Sequence, residues 1–242
     1  MEILTMAAVL LAYIVKGMCG FANTLVFSTI MSFSTTNINI SPLDLIVGYP
    51  SNILIAWKEK KSVSAKICVP LSILVILGSI PGAIFLKNGN TQLIKTVFGF
   101  AVVLIGVEMF LREYQKRKQK SSRPVLFIIG IVSGLLCGMY GIGAFLAAYV
   151  SRTTENSSAF KGNISVVFWV ENTFRIILYT VTGIITWDVC QKALLLMPFM
   201  LAGLLIGMLA AKYTDEKIVK RIIIIMLILS GISLILNSLG VF

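Results

Sequence analysis

The chain has 242 residues and a formal net charge of +11 at pH 7, with 57% hydrophobic and only 13% charged residues. Soluble globular domains contain about a quarter charged residues, so this composition indicates a membrane protein rather than a soluble one. Histidine is absent, and neither a GxSxG elbow nor a Walker glycine–lysine loop occurs, so the sequence predicts no enzyme, no ATP-driven pump, no metal centre and no cofactor.

Polar connections divide the chain into eight apolar segments. About 20 helical residues cross about 30 Å of hydrocarbon, so we predict an all-α, multi-pass protein of the cell membrane, embedded in the lipid bilayer. Glu2 and the lack of a basic leader argue against a cleaved signal peptide, and Pro42 and Pro124 are expected near the beginnings of two segments. The segments are 3–33, 42–57, 66–87, 90–111, 125–151, 159–184, 187–212 and 216–240.

The positive charge is concentrated in short polar connections between these segments. Fourteen of the 21 Lys and Arg residues lie at 58–66, 112–123 and 212–221. Short basic loops that flank membrane segments mark the cytoplasmic face. Because no aromatic platform accompanies the charges, cytoplasmic loops are favoured over binding to nucleic acid.

Two topologies are compatible with this composition. If all eight segments cross the bilayer, the connection at 212–221 lies opposite the other two basic connections, against the positive-inside tendency. If segments 3–33 and 125–151 instead enter and leave on one side, all three basic connections are cytoplasmic and both termini are outside. We favour this second arrangement, in which the two segments are broken or re-entrant at their central glycines.

Matching motifs recur at a nearly constant spacing along the chain. The stretch GMCGFANTL at 17–25 aligns with GMYGIGAFL at 138–146, an offset of 121 residues. The further matches, at offsets of 120 and 125 residues, are Asn52 with Asn172 and GSIPG (78–82) with GLLIG (203–207).

These matches predict two homologous four-segment repeats. The first repeat is residues 1–111, the second is residues 125–242, and a basic cytoplasmic linker at 112–124 joins them. Duplicated halves with a substrate site between them are a recurrent plan of secondary transporters.

The glycine cluster in the first segment of each repeat predicts a helix break. Glycines three and two residues apart do not line one helix face and favour an unwound turn. A helix that begins after such a turn presents N–H groups and its positive dipole end to an anion. Lys16 adds a positive charge beside the first turn, whereas its counterpart is Cys137. The predicted substrate-binding residues at the breaks are Lys16, Gly17, Gly20, Asn23, Gly138, Tyr140, Gly141 and Gly143.

Polar residues in the segments that follow the breaks complete the candidate site. Asn52 and Asn172 occupy matching positions and are predicted to contact the substrate, although hydrogen bonding between helices would also explain either one. Glu171 and Arg175 are four residues apart and share a helix face. Either they pair only to fix the helix, or Arg175 attracts an anion while Glu171 orients it or couples transport to protons.

The second half of the chain carries a family resemblance that is best from Gly134 to Leu236. Its stretches GLLCGMYGIGAFLAAYVSR, FKGNISVVFWVENTFRIILYTVTGIIT and GLLIGMLAAKYTDEKIVKR resemble the sulfite exporter TauE/SafE family. The resemblance implies a duplicated membrane module that moves small sulfur-containing anions or organic acids, such as sulfite, sulfoacetate or thiosulfate, without ATP. Family members often carry GxGGG and GxGGP at the breaks, where this chain has GMCGFAN and GIGAF.

We therefore predict a secondary transporter, an exporter or permease, for a small anion such as sulfite, an organosulfonate or another small organic acid. Its predicted partners are this anionic substrate and the lipid bilayer, and the sequence leaves homo-oligomerisation open. The alternatives are a non-transporting scaffold or sensor that docks through the basic loops, and a carrier of a different solute. A cation is disfavoured because carboxylates are scarce at membrane depth.

Overall fold

The computed structural model describes residues 2–31, 37–88, 123–141, 143–154 and 156–215, with single positions between 96 and 111 and between 218 and 238. All regular structure in these residues is helical, so the predicted all-α class is confirmed. A short 3-10 turn, Lys60–Ser62, connects α3 to α4. The complete helices of the described part are α1 Glu2–Cys19, α2 Asn23–Met31, α3 Asn37–Lys58, α4 Ala65–Asn88, α5 Arg123–Tyr140, α6 Ala144–Thr153, α7 Ser157–Val181 and α8 Trp187–Ala210.

The predicted segments coincide well with these helices. Segments 3–33 and 125–151 each contain two helices, α1 with α2 and α5 with α6. Segments 90–111 and 216–240 fall mainly outside the described residues, and their described positions are helical. The linker predicted at 112–124 also lies outside the described residues, apart from its last two.

Helix α3 begins earlier than its hydropathy indicates. Its first residue is Asn37, so Pro42 lies inside the helix rather than at its beginning, and Pro50 is inside it as well. The stretch NINIS at 37–41 alternates polar and apolar residues. A fall in hydropathy therefore marks the end of the apolar stretch but not the end of the helix, and the expected boundary at Pro42 is wrong.

Three of the described helices are long and apolar enough to cross a membrane. They are Ala65–Leu86, Ser157–Val181 and Trp187–Ala210, with mean hydropathies of 2.3, 1.3 and 2.4. Large apolar side chains on them face outward, among them Leu194, which is 72% exposed. Such an outer surface suits hydrocarbon chains rather than water, as expected for a multi-pass membrane protein.

Glycines allow α4 and α5 to pack backbone against backbone. A Cβ atom at Gly78 would lie 2.9 Å from the Cα of Gly134, and one at Gly82 would lie 3.1 Å from the Cα of Gly138. The hydroxyl oxygen of Ser79, between the two glycines of α4, lies 3.2 Å from the carbonyl oxygen of Gly134. Small residues let membrane helices approach this closely and gain dispersion energy.

Helices α1 and α8 make the same kind of contact. A Cβ atom at Gly207 would lie 3.0 Å from the Cα of Gly17, and one at Gly203 would lie 3.2 Å from the Cβ of Tyr13. The Gly207–Gly17 contact joins the positions that the predicted repeat pairs with Gly82 and Gly138. In each case the helix before a break packs on a helix from the other half of the chain.

Helices α3 and α7 pack together between these two pairs through polar side chains. Trp169 Nε1 donates a hydrogen bond of 3.1 Å to the hydroxyl of Tyr49, which lies 3.1 Å from the hydroxyl of Thr173. The hydroxyls of Ser41 and Tyr179 are also 3.1 Å apart. The two predicted asparagines lie on these helices and are both buried, Asn52 on α3 and Asn172 on α7.

Replacing Gly207 by valine should destabilise the protein, because the new side chain would meet the backbone of Ile14 and Gly17. Overpacking of this kind costs about 1–3 kcal/mol. The matched control is Ala202→Val on the exposed face of the same helix. Helix propensity favours valine over glycine at position 207 and disfavours valine relative to alanine at position 202. Propensity alone therefore predicts that Ala202→Val is the more destabilising change, which is the opposite of the packing prediction. Thermal unfolding in detergent measures both, and an equal or greater loss in the control would contradict the packing argument.

Candidate functional site

Two short interruptions separate α1 from α2 and α5 from α6. The described residues of these interruptions are 20–22 in the first and 141 and 143 in the second. Each interruption follows a glycine contact with another helix, so the preceding helix is held firmly up to its last turn. The chain then changes direction and starts a second, shorter helix.

Both interruptions begin with the same glycine cap. The backbone φ is +85° at Gly20 and +72° at Gly141, a left-handed conformation that glycine adopts without a steric penalty. The N–H of Gly20 bonds to the carbonyl of Lys16 at 2.6 Å, and the N–H of Gly141 bonds to that of Cys137 at 2.8 Å. A left-handed residue with this bond ends many helices. Ala22 also has a positive φ, +74°, which is unusual for a residue with a Cβ.

A small cavity lies between the two interruptions, α3 and α7. Its volume is about 20 Å³, enough for one water molecule. Most of its polar lining consists of amide and charged side chains, in contrast to the apolar outer surface. The lining residues are Lys16, Phe21, Ala22, Asn23, Thr24, Leu25, Asp44, Leu45, Gly48, Asn52, Gly141, Gly143, Phe168, Asn172 and Arg175.

Arg175 binds the end of α5 and its own helix. Its Nη1 donates to the carbonyl of Cys137, and its Nη2 donates to Asn172 Oδ1 at 3.2 Å. Its Nε lies 3.7 Å from Glu171 Oε1 but has no hydrogen-bond partner among the described residues. A guanidinium has five N–H donors, so this buried cation retains capacity to bind an acceptor.

Glu171 lies behind Arg175 and does not line the cavity. Its side chain is 1% exposed, and its Oε1 accepts a hydrogen bond of 3.3 Å from Ser79 Oγ on α4. Ion pairing with Arg175 compensates a buried carboxylate that would otherwise be costly. Glu171 therefore neutralises and positions the arginine from the side away from the cavity.

Lys16 brings a second cation to the cavity. Its side chain is 2% exposed, and its Nζ lies 5.7 Å from the ring centroid of Tyr13. Among the described residues, no ion pair or side-chain hydrogen bond involves this ammonium group. Contact with an aromatic ring stabilises a buried cation only in part, so Lys16 also suits an anion that enters the cavity.

Asp44 faces the same cavity, although the sequence analysis did not single it out. The side chain is 4% exposed. Its Oδ1 accepts hydrogen bonds from Asn23 Nδ2 at 3.1 Å and from the Tyr13 hydroxyl at 3.4 Å, and its Oδ2 accepts one from Thr24 Oγ1. The expectation that carboxylates are scarce at membrane depth is therefore wrong at this position. Its position inside the apolar stretch PLDLIVG was a detectable signal, since ionisable residues there are usually functional.

The structure brings most of the predicted site residues together and leaves others outside. Seven of the predicted residues line the cavity, and Asn52 among them has a buried Oδ1 without a hydrogen-bond partner in the described part of the chain. Gly17, Gly20 and Gly138 pack against other helices instead, and the side chain of Tyr140 lies outside the described residues. The seven are Lys16, Asn23, Asn52, Gly141, Gly143, Asn172 and Arg175.

A larger cavity of about 140 Å³ lies beside the first interruption. Three lysines from different helix ends line it, Lys58, Lys161 and Lys212, together with Glu59. Gly17, the residue after Lys16, also lines this cavity. A basic vestibule therefore adjoins the helix that carries the buried lysine.

The described residues contain no group of three or more His, Cys, Asp or Glu side chains that could hold a metal ion. The chemistry of the central cavity rests on Lys16, Arg175 and Asp44 with their amide and hydroxyl neighbours. This combination can bind an oxyanion and exchange a proton.

Replacing Gly141 by alanine should destabilise the protein more than replacing Gly183 by alanine. Both glycines have a φ of +72°, so both changes carry the same backbone strain of about 1–2 kcal/mol. A Cβ at Gly141 would also lie 3.0 Å from Arg175 Nη1 and displace the guanidinium, whereas nothing lies within 4 Å of one at Gly183. Thermal unfolding measures the difference, and equal losses would contradict a close contact between Gly141 and Arg175.

Comparison with known proteins identifies the family. A family model described as Sulfite exporter TauE/SafE matches residues 5–234, and neither a curated protein nor a solved structure matches the chain. The matched range includes all eight helices and every residue that lines the central cavity, apart from the first residues of α1. A match over nearly the whole length shows that this chain belongs to the sulfite exporter TauE/SafE family of membrane transporters.

Proposed function

We propose that the protein is a secondary transporter of the plasma membrane for a small anion, such as sulfite, an organosulfonate or another small organic acid, and that the central cavity is its binding site. The observation that carries this proposal is the incompletely paired Arg175 in a cavity that also contains Lys16, a second buried cation in contact with the ring of Tyr13. A buried cation without a full set of partners is unfavourable in a medium of low polarity. An anion can accept hydrogen bonds from both cations, which favours anions over cations as ligands.

The donors around the cavity suit a compact oxyanion. Arg175 can offer the N–H groups left free by Cys137 and Asn172, and charge-assisted hydrogen bonds of this kind are stronger than neutral ones. The ammonium of Lys16 adds charge without a fixed direction. Asn52 Oδ1 is a free acceptor, which favours an oxyanion that keeps one hydroxyl, such as hydrogen sulfite, over one with acceptors only.

The glycine contacts support the proposed duplication of residues 1–111 and 125–242. Gly17 packs on Gly207 as Gly138 packs on Gly82, and the caps at Gly20 and Gly141 are built alike. In transporters built from two such repeats, the substrate lies at the repeat interface and access alternates between the two faces of the membrane. Binding energy and ion gradients then drive transport without ATP.

A scaffold or sensor that does not transport is less well supported. Such a protein docks through its surface and gains nothing from buried cations, which cost free energy inside a membrane. Flux through purified vesicles separates the two functions directly.

The joint replacement Glu171→Gln and Arg175→Gln should reduce sulfite flux in proteoliposomes by about 100-fold or more, because truncating a buried charged partner costs about 2–5 kcal/mol. Changing Arg175 alone would leave Glu171 buried without its cation, so the double variant preserves the fold better. The matched control is Asp188→Asn with Lys192→Gln, an exposed pair with the same spacing on α8. The proposal fails if the folded double variant transports sulfite like the control.

The second cavity supports the topology in which segments 3–33 and 125–151 are re-entrant. Lys58 and Lys212 come from two of the three basic connections and line one cavity. Two loops that meet in this way lie on the same face of the membrane. By the positive-inside tendency this face is cytoplasmic, so the basic vestibule opens toward the cytoplasm and collects anions there.

Cysteines introduced at Ser62 and Asp215, in a chain with its four native cysteines replaced by serine, should both react with an impermeant maleimide from the cytoplasmic side only. A cysteine at position 188, at the opposite end of α8 from Asp215, should react only from outside and serves as the control. Labelling of the Ser62 and Asp215 positions from opposite sides would contradict the topology.

A further inference from the structure

Asp44 is a buried carboxylate that occupies one side of the central cavity. Its three hydrogen-bond donors, the side chains of Tyr13, Asn23 and Thr24, come from α1 and from the beginning of α2. Tyr13 precedes the first interruption, and Asn23 and Thr24 follow it. An anion that entered the cavity beside this interruption would need hydrogen-bond donors at the same place. The carboxylate therefore already takes the hydrogen bonds that a substrate oxyanion would use.

The charges around the cavity cancel when every group is ionised. Lys16 and Arg175 contribute two positive charges, and Asp44 and Glu171 contribute two negative ones. An anion that enters would leave one uncompensated negative charge, or two for a dianion, in a region of low dielectric constant, which is strongly unfavourable. A proton on Asp44 removes one negative charge and restores neutrality with a monoanion bound.

The other ionisable groups near Asp44 do not replace it in this role. Glu171 is held by Arg175 and Ser79 behind the cavity wall, and the acidic and basic residues of α8, Asp188 and Lys192, are exposed and paired with each other. Helix α2 contributes only neutral side chains. Among the described residues, the ionisable groups that interact with Asp44 are Tyr13 and Lys16 on α1 and Arg175 on α7.

We propose that Asp44 is the proton-coupling residue of the transporter, and that one proton accompanies each anion through the cavity. The inference rests on the proposed function of the same cavity. First, a proton from water on the loading side binds the Asp44 carboxylate, which then releases its hydrogen-bond donors. The anion next binds these donors together with Lys16 and Arg175. The proton and the anion finally leave on the opposite side of the membrane. The proton then returns to water and Asp44 is again ionised, so no group is consumed.

The test uses the full-length protein in proteoliposomes with methanesulfonate, an organosulfonate that stays singly charged throughout the assay, and with sulfite as a second probe. In the wild type, anion affinity should fall about tenfold for each pH unit above the protonation midpoint, because proton and anion binding favour each other reciprocally. A pH-sensitive dye inside the vesicles should report proton entry with the anion. Asp44→Asn, a neutral mimic of the protonated acid, should bind the anion with no pH slope and move it without protons.

Two controls keep the outcome decisive. Asp188→Asn removes an exposed carboxylate and should behave like the wild type. Thr24→Val removes one hydrogen-bond donor from the ionised Asp44, which makes the carboxylate easier to protonate. The plot of anion affinity against pH should therefore keep its slope and move to higher pH. A purely structural role of Asp44 would not produce this shift. This variant serves also if Asp44→Asn does not fold.

The possible failures are distinguishable. Anion flux in the wild type without proton movement, a pH slope retained in Asp44→Asn, or an unshifted profile in folded Thr24→Val would overturn the role of Asp44 and leave the proposed function in place. If the wild type moves neither methanesulfonate nor sulfite, both proposals are overturned.

Discussion

The carbonyl groups at the end of α5 place a constraint on which the rest of the structure depends. A helix that stops inside a membrane leaves carbonyls without partners, and no water is present to satisfy them. Arg175 donates to the carbonyl of Cys137, and the Tyr179 hydroxyl donates to that of Gly138 at 2.6 Å. Both donors lie on α7, four residues apart and so on one face. The interruption in α5 and the position of α7 therefore determine each other.

This arrangement explains why the cavity has a cation in it. Arg175 gives the Cys137 carbonyl a second donor beside the N–H of Gly141, and Glu171 limits the cost of burying the arginine. These partners leave part of the guanidinium without a hydrogen bond, and Arg175 lines the cavity. In the described part of the chain, no such arginine lies beside the first interruption. The charged residues of the cavity on that side are Lys16 and Asp44. The two interruptions thus begin with the same glycine cap but have different charged neighbours.

The sequence was most informative where one physical signal acts locally. Apolar length predicted the helices, and glycines spaced off any single face marked the interruptions at residues 20–22 and 141–143. Lys16 and Arg175 stood out because charge within an apolar stretch is rare. The prediction failed where the reason lies in another helix. The apolar neighbours of Asp44 could have singled it out, but its hydrogen-bond donors lie on α1 and α2, so its own segment could not reveal its partners.

The packing also limits how the cavity can open. At about 20 Å³ it is too small for a sulfonate, so transport requires the surrounding helices to separate. Helices α4 with α5 and α1 with α8 meet through glycine backbones, so sliding within either pair would produce steric clashes. The contacts of α3 with α7 are made by hydroxyl and indole groups, which can exchange partners at small cost. If the protein transports as proposed, the two glycine-packed pairs are the units expected to move about α3 and α7, and a proton on Asp44 would favour that motion by weakening its hydrogen bonds to α2.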